Sequence, residues 1–146
     1  MAGLRERALR LLARREHSRF ELARKLEQAG FSDGDIAPLL DAFEAKNWLS
    51  DQRFAASYVA DHRARSGSVK LAYELRLRGV ADAIIEAVLS ENRDSELGRA
   101  RAVWNKKFGS APTEAAEKAR QIRFMQSRGF TPEVIRRAIN QPETDC

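Results

Sequence analysis

The chain is 146 residues long, 43% hydrophobic and 32% charged, which suits one ordinary domain or a few very small modules of above-average charge. Its 26 Lys and Arg against 21 Asp and Glu leave a net charge of +5, a modest excess that favours a polyanionic partner without specifying one. One cysteine, Cys146, and two isolated histidines, His17 and His62, exclude a disulfide framework and a zinc site, and no stretch approaches the roughly 18 apolar residues of a membrane span.

No segment alternates apolar and polar residues as a strand would; apolar residues recur by threes and fours, so the expected fold is all-α. The opening MAGLRERALR has no continuous apolar run and does not read as a signal peptide. It starts a first helix over 2–15, whose Arg7, Arg10 and Arg14, with Glu6 four before Arg10, read as a salt-laced face. Ser18-Arg19-Phe20-Glu21 is a capping box that opens a second helix carrying Leu22 and Leu26. Gly30 follows, and Ser32 and Asp33 offer caps to a third helix with Ile36, Leu39, Leu40 and Phe43. Leu49-Ser50-Asp51 reads as a turn plus cap before a fourth helix over 51–65, built on Phe54, Tyr58 and Val59. Ser66-Gly67-Ser68 separates it from a fifth over 68–79. Ile85 and Leu89 mark a sixth, and a seventh spans 95–108. Ser110-Ala111-Pro112-Thr113 precedes the eighth, and Thr131 with Pro132 opens the ninth.

One local pattern occurs three times, as LEQAGFSDGDIAPLL, LRLRGVADAIIEAVL and MQSRGFTPEVIRRAI. It places Gly at 30, 79 and 129, separated by 49 and 50 residues. Four residues before each Gly stands Leu26, Leu75 or Met125, and one after stands Phe31, Val80 or Phe130. Ile36, Ile85 and Ile135 stand six after, and Leu40, Leu89 and Ile139 ten after. A glycine just past a helix end adopts the left-handed conformation of a Schellman turn. Phe31 is then expected on Leu26, Val80 on Leu75 and Phe130 on Met125. The chain therefore reads as three tandem three-helix repeats, at 1–50, 51–92 and 93–146 with a short C-terminal tail. A three-helix unit of this size is marginal alone, so an elongated array is expected.

Catalytic chemistry has no signature. Asp61 and His62 are adjacent on a helix and point apart, and no phosphate-binding glycine motif is present. A surface does have one. On the fifth helix Leu71, Ala72 and Leu75 share one face, while Lys70, Tyr73, Arg76 and Leu77 lie across the opposite half. An aromatic and a leucine among cations suit base stacking or a protein groove, and equally suit packing on a neighbouring repeat. Arg24 and Arg123 align with Tyr73, and Arg120 with Lys70. These cations form a stripe for phosphates or an acidic groove, or a merely solvated face interrupted by Glu21, Glu27 and Glu74. The third repeat is the most basic, with 11 cations against 7 acids, among them Arg120, Arg123, Arg128, Arg136 and Arg137.

The segment WLSDQRFAASYVADHRARSGSVKLAYELRLRGV, Trp48 to Val80, joins Leu49, Ser50, Asp51, Arg53, Phe54 and Ala55 to Arg63, Arg65, Gly67, Glu74, Leu75, Gly79 and Val80. In that pattern, with the flanking Gly-Phe repeats, the chain resembles the RecX family, regulators of the RecA recombinase, over about residues 4–140. It departs from the family pattern at Ser68-Val69-Lys70, where more basic residues are usual. The resemblance implies a cytoplasmic, monomeric, non-enzymatic protein that needs no cofactor. Such a protein binds the groove of the RecA filament on single-stranded DNA, touches duplex DNA only weakly and non-specifically, and suppresses ATP hydrolysis, strand exchange and coprotease activity. The expected DNA- or filament-binding residues are Arg24, Arg53, Arg63, Arg65, Lys70, Tyr73, Arg76, Arg78, Arg120, Arg123 and Arg128, with Gly30, Gly79 and Gly129 as structural turns. One rival reading is a helix-turn-helix regulator. Its reading helices would begin Ser-Asp-Gly-Asp, Ala-Asp-Ala and Thr-Pro-Glu, which are acidic where base readers carry Arg, Asn or Gln. The other rival is a helical scaffold that binds only proteins.

Overall fold

The computed structural model describes residues 3–140; the C-terminal tail with Cys146 lies outside the described residues. Within them the chain is all-α, a tandem array of three-helix repeats. The helices are α1 (Leu4–Arg14), α2 (Arg19–Gln28), α3 (Asp33–Ala45), α4 (Asp51–His62), α5 (Ser68–Leu77), α6 (Asp82–Glu91), α7 (Glu96–Lys107), α8 (Ala115–Ser127) and α9 (Pro132–Asn140). A short 3-10 turn at Arg93–Ser95 leads into α7. The fourth and fifth helices stop earlier than the periodicity predicts. Residues 63–65 close a turn in which Arg65 and Ser66 both donate to the His62 carbonyl, and α5 yields to the glycine turn after Leu77.

The three glycine turns have the expected geometry. Gly30, Gly79 and Gly129 have φ of 101°, 80° and 89°. The amides of Phe31, Val80 and Phe130 reach back to the carbonyls of Leu26, Leu75 and Met125 at 3.1, 3.1 and 3.4 Å. Each glycine amide closes the inner bond, to Glu27, Arg76 or Gln126. These are the two hydrogen bonds of a Schellman motif, and they satisfy carbonyls that a helix end otherwise orphans. A fourth such turn ends α3 without glycine. Asn47 takes φ 63°, and the Trp48 amide bonds the Phe43 carbonyl at 2.9 Å. The rings of Phe43 and Trp48 meet at 5.5 Å between centroids. Asn tolerates the left-handed region better than other residues with a side chain.

Of the side-chain caps expected from the sequence, those of Ser18, Ser50 and Thr131 form and that of Ser32 does not. Ser18 accepts from the Glu21 amide, and the Glu21 carboxylate accepts from the Ser18 amide. Ser50 Oγ takes the Arg53 amide, and Thr131 Oγ1 takes the Val134 amide. Ser32 occupies the cap position of α3 in extended geometry, but its hydroxyl makes no cap bond.

The chain packs as two compact units. The first takes the described part of Met1–Tyr58 together with Leu75–Val88. Ala8, Leu22, Leu26, Ile36, Leu40, Phe43 and Leu49 form its core, with Phe31 and Leu39 packed against them. Each fully buried Leu or Phe contributes about 1.5–3 kcal/mol. The glycine turn at 79 docks here: the Ser18 hydroxyl donates to the Arg78 carbonyl at 2.7 Å, and a Cβ on Gly79 would run into Phe20. The second unit takes Val59–Glu74 and the described part of Leu89–Cys146. Its core is Ala100, Trp104, Met125, Phe130, Ile135, Ala138 and Ile139. Inside it Trp104 Nε1 donates to Gln121 Oε1 at 2.8 Å, so the buried indole N–H has a partner. The turn at 129 lies directly on the α4–α5 loop. Gly67 and Val69 amides bond the carbonyls of Arg128 and Gly129 at 2.7 and 2.9 Å, an approach that a side chain on Gly67 or Gly129 would block.

Candidate nucleic-acid and filament interface

In the first unit the expected binding residues are mostly engaged by neighbours. Arg53 Nε pairs with Glu16 Oε2 at 2.6 Å and reaches the Asn47 carbonyl at 3.1 Å. Arg78 stacks 4.7 Å from the Tyr58 ring centroid and lies 3.8 Å from Glu21 Oε2. Arg76 pairs with Asp82 at 3.0 Å in the open, and Leu77 beside it is exposed. Arg24 is exposed and lies 5.6 Å from the Phe20 ring centroid.

In the second unit Tyr73 is 59% exposed and Val69 stands equally open. Leu71, on the opposite face of α5, is fully buried. Tyr73 thus lies on the open side of α5. Lys70 is half-buried, its Cβ against the Gly129 turn. Arg120 forks onto Glu117 at 2.9 and 3.0 Å and lies 5.1 Å from the Phe108 ring centroid. Arg123 is exposed. Arg63 is held by Asn92 Oδ1 at 2.9 Å.

Arg65 and Arg128 come together with two lysines that sequence reasoning did not single out. Arg65, Lys106, Lys107 and Arg128 surround a hollow of about 340 Å³ whose other walls are Ala64, Val103 and Phe124. Lys107 and Arg128 lie 5.2 and 5.0 Å from the Phe124 ring centroid. The loop that carries Arg65 is fixed from below by Arg99, also not foreseen. Its guanidinium donates to the carbonyls of Arg63, Ser66 and Asn92 at 2.8, 3.3 and 3.2 Å. Burial pulls the Arg99 pKa down, opposed by the Glu96 carboxylate. Glu96 in turn accepts the Ser68 amide at 3.0 Å and caps α5.

Among the described residues no group of three His, Cys, Asp or Glu side chains could hold a metal ion. No helix among them is long and apolar enough to cross a membrane. The histidine His17 is buried, between the Arg15 carbonyl at 3.0 Å and Lys25 Nζ at 2.9 Å. Burial is the first cause of its lowered pKa.

Three family models match in tandem: the first three-helix domain of RecX over residues 5–42, the second over 50–89 and the third over 94–139. The regulatory protein RecX of Ralstonia nicotianae is 44% identical over 94% of this chain and 86% of its own length. That of Chromobacterium violaceum is 45% identical over 94% and 89%, and that of Halorhodospira halophila 43% over 98% and 90%. The crystal structure of RecX from Lactobacillus salivarius superposes with a TM-score of 0.82 at 17% identity, covering 95% of this chain and 94% of that one. Fold and relatives together define a regulatory protein built of three-helix repeats, not an enzyme. The chain belongs to the RecX family.

Proposed function

We propose that the chain modulates the RecA recombinase by occupying the RecA–single-stranded DNA filament, lowering ATP hydrolysis, strand exchange and coprotease activity. The observation that carries this reading is the tandem match to all three RecX domains from residue 5 to 139. The exposed Tyr73, with Arg65 and Arg123 of the same unit, which form no ion pair among the described residues, supplies contact chemistry for DNA or an acidic groove. Cytoplasmic location and a monomeric state are part of the same proposal. The helix-turn-helix rival is disfavoured where it would have to act, since the first turns after the glycines carry Asp33 and Asp35, Asp82, and Glu133, which repel phosphates. The deciding experiment compares binding to a preformed RecA filament with binding to the same single-stranded DNA naked. Tighter binding to the filament is expected. Equal affinity for both, or strong preference among unrelated duplex sequences, would sink the reading.

A further inference from the structure

We infer that the hollow bounded by Arg65, Lys106, Lys107 and Arg128 is a nucleotide-binding subsite for single-stranded nucleic acid. It lies wholly within the second unit, between the α4–α5 loop and the C-terminal ends of α7 and α8. Its lining is four cations over the apolar surface of Ala64, Val103 and Phe124, with no acidic residue among them. Among the described residues none of the four cations forms an ion pair. The exposed arginines Arg76 and Arg120 contrast with them, each holding a carboxylate.

Two of the four are held in place. Phe124 carries Lys107 and Arg128 at 5.0–5.2 Å from its ring centroid and is itself fixed by an edge contact with Phe108 at 5.5 Å. Cation–π contact of this kind orients a charge without neutralising it. The Arg128 guanidinium also touches the Arg65 carbonyl at 3.4 Å. The C-terminal ends of α7 and α8 bring about half a negative charge each, which offsets the four cations only in part and leaves the hollow net positive toward an anion. A ligand that fits offers negative charge at the rim and an apolar, planar body toward the floor, which is the chemistry of a nucleotide. The volume, about 340 Å³, lies in the range that admits a small-molecule-sized group. A paired base cannot enter such a hollow without leaving its stack, whereas an unstacked nucleotide of a single strand enters freely. Polynucleotide is favoured over a free nucleotide because flanking phosphates on the same strand engage the rim cations together.

This inference deepens the proposed function and rests on that reading only for its setting, so its test uses DNA without recombinase. Fluorescence anisotropy with labelled oligothymidylate is measured across salt concentrations for the full chain, for Lys106→Ala/Lys107→Ala, and for Arg136→Ala/Arg137→Ala. Both pairs remove two exposed helical cations, and circular dichroism checks that helices persist. The lysine pair is expected to weaken binding about tenfold and to reduce the log–log salt slope by about 1.4, roughly 0.7 per lost phosphate contact. The arginine pair, outside the hollow, is expected to change affinity less than about twofold. Unchanged affinity in the lysine variant overturns the subsite, and so does an equal loss in both variants, which would report net charge alone. Displacement of the oligomer by thymidine monophosphate at equal nucleotide concentration overturns the polynucleotide assignment. Polyglutamate binding as tightly, with the same lysine dependence, reassigns the hollow to an acidic protein segment. A chain that binds DNA through these lysines but leaves recombinase activity untouched supports the subsite and sinks the functional reading instead.

Discussion

Two cases show how much a single position decides. His17 is buried, and its two contacts require the neutral ring: Nδ1–H donates to the Arg15 carbonyl and Nε2 accepts from Lys25. A second proton would face the Lys25 ammonium in a place already poor in water, and burial, then the charges of Arg15 and Lys25, lower its pKa below 6.5. Unfolded His binds its proton near 6.5, so below that pH the unfolded state takes up more protons than the folded one. Stability is therefore full above about pH 6.5 and is lost as pH falls toward the lower folded pKa. Urea melts at about pH 7.5 and 5.5 should show a drop in the wild type that His17→Gln reduces. An equal drop in both would place the acid sensitivity elsewhere. The glycines supply the second case. Gly30 has open space where a Cβ would go, whereas Gly79 has Phe20 Cγ at 2.6 Å. Gly30→Ala then carries only the left-handed backbone cost, about 1–2 kcal/mol. Gly79→Ala adds a clash with a packed ring and should cost more by thermal melt. Equal costs would mean that Phe20 yields freely.

At the scale of the element, the helix ends divide into those legible in the chain and those not. The Schellman turns were legible because their signal is local: a glycine, an apolar residue after it and one four before it. The fourth turn, at Asn47, hid because asparagine is common in loops and its apolar partners, Phe43 and Trp48, have no repeat to align with. The faces of α5 were legible from spacing, with Leu71 and Leu75 buried and Tyr73 exposed. The candidate cations were legible as charges but not as partners. Nothing near Arg53 or Arg78 in sequence announces Glu16 or Glu21. Lys106 and Lys107 read as ordinary dipole-complementing charges at the end of α7. The grouping into two packed units was illegible for the same reason, since it depends on long-range packing. Glu96 is the sharpest case, a cap supplied from 28 residues away to the Ser68 amide. Glu96→Ala should destabilise by about 1 kcal/mol, the usual value of a lost N-cap, and Glu96→Gln, which keeps an acceptor oxygen, by less. Chemical denaturation of the two variants checks the order.

At the scale of the whole molecule, a regulatory protein acts on its partner through binding. Such a protein shifts an equilibrium only through contacts present in one state of its partner and absent in the other. Its exposed surface, not its core, must carry the effect. Replacing Lys70, Tyr73 and Arg76 with Ala tests this cleanly. Tyr73 is more than half exposed, and the Arg76–Asp82 pair is solvent-open, worth little to stability. Ala at position 70 keeps the Cβ that packs on the Gly129 turn. The triple variant should therefore retain its helices by circular dichroism. The wild type should inhibit RecA ATP hydrolysis and strand exchange at well below one molecule per recombinase protomer, because blocking a polymer at one point affects the protomers beyond it. The variant should need about tenfold more protein, equivalent to about 1.4 kcal/mol, the scale on which an exposed aromatic anchor contributes to an interface. Full inhibition by the variant would move the surface to Arg120 and Arg123. Absence of inhibition by the wild type on RecA from the same organism would overturn the assignment as a RecA modulator, while leaving the fold and the family as they stand.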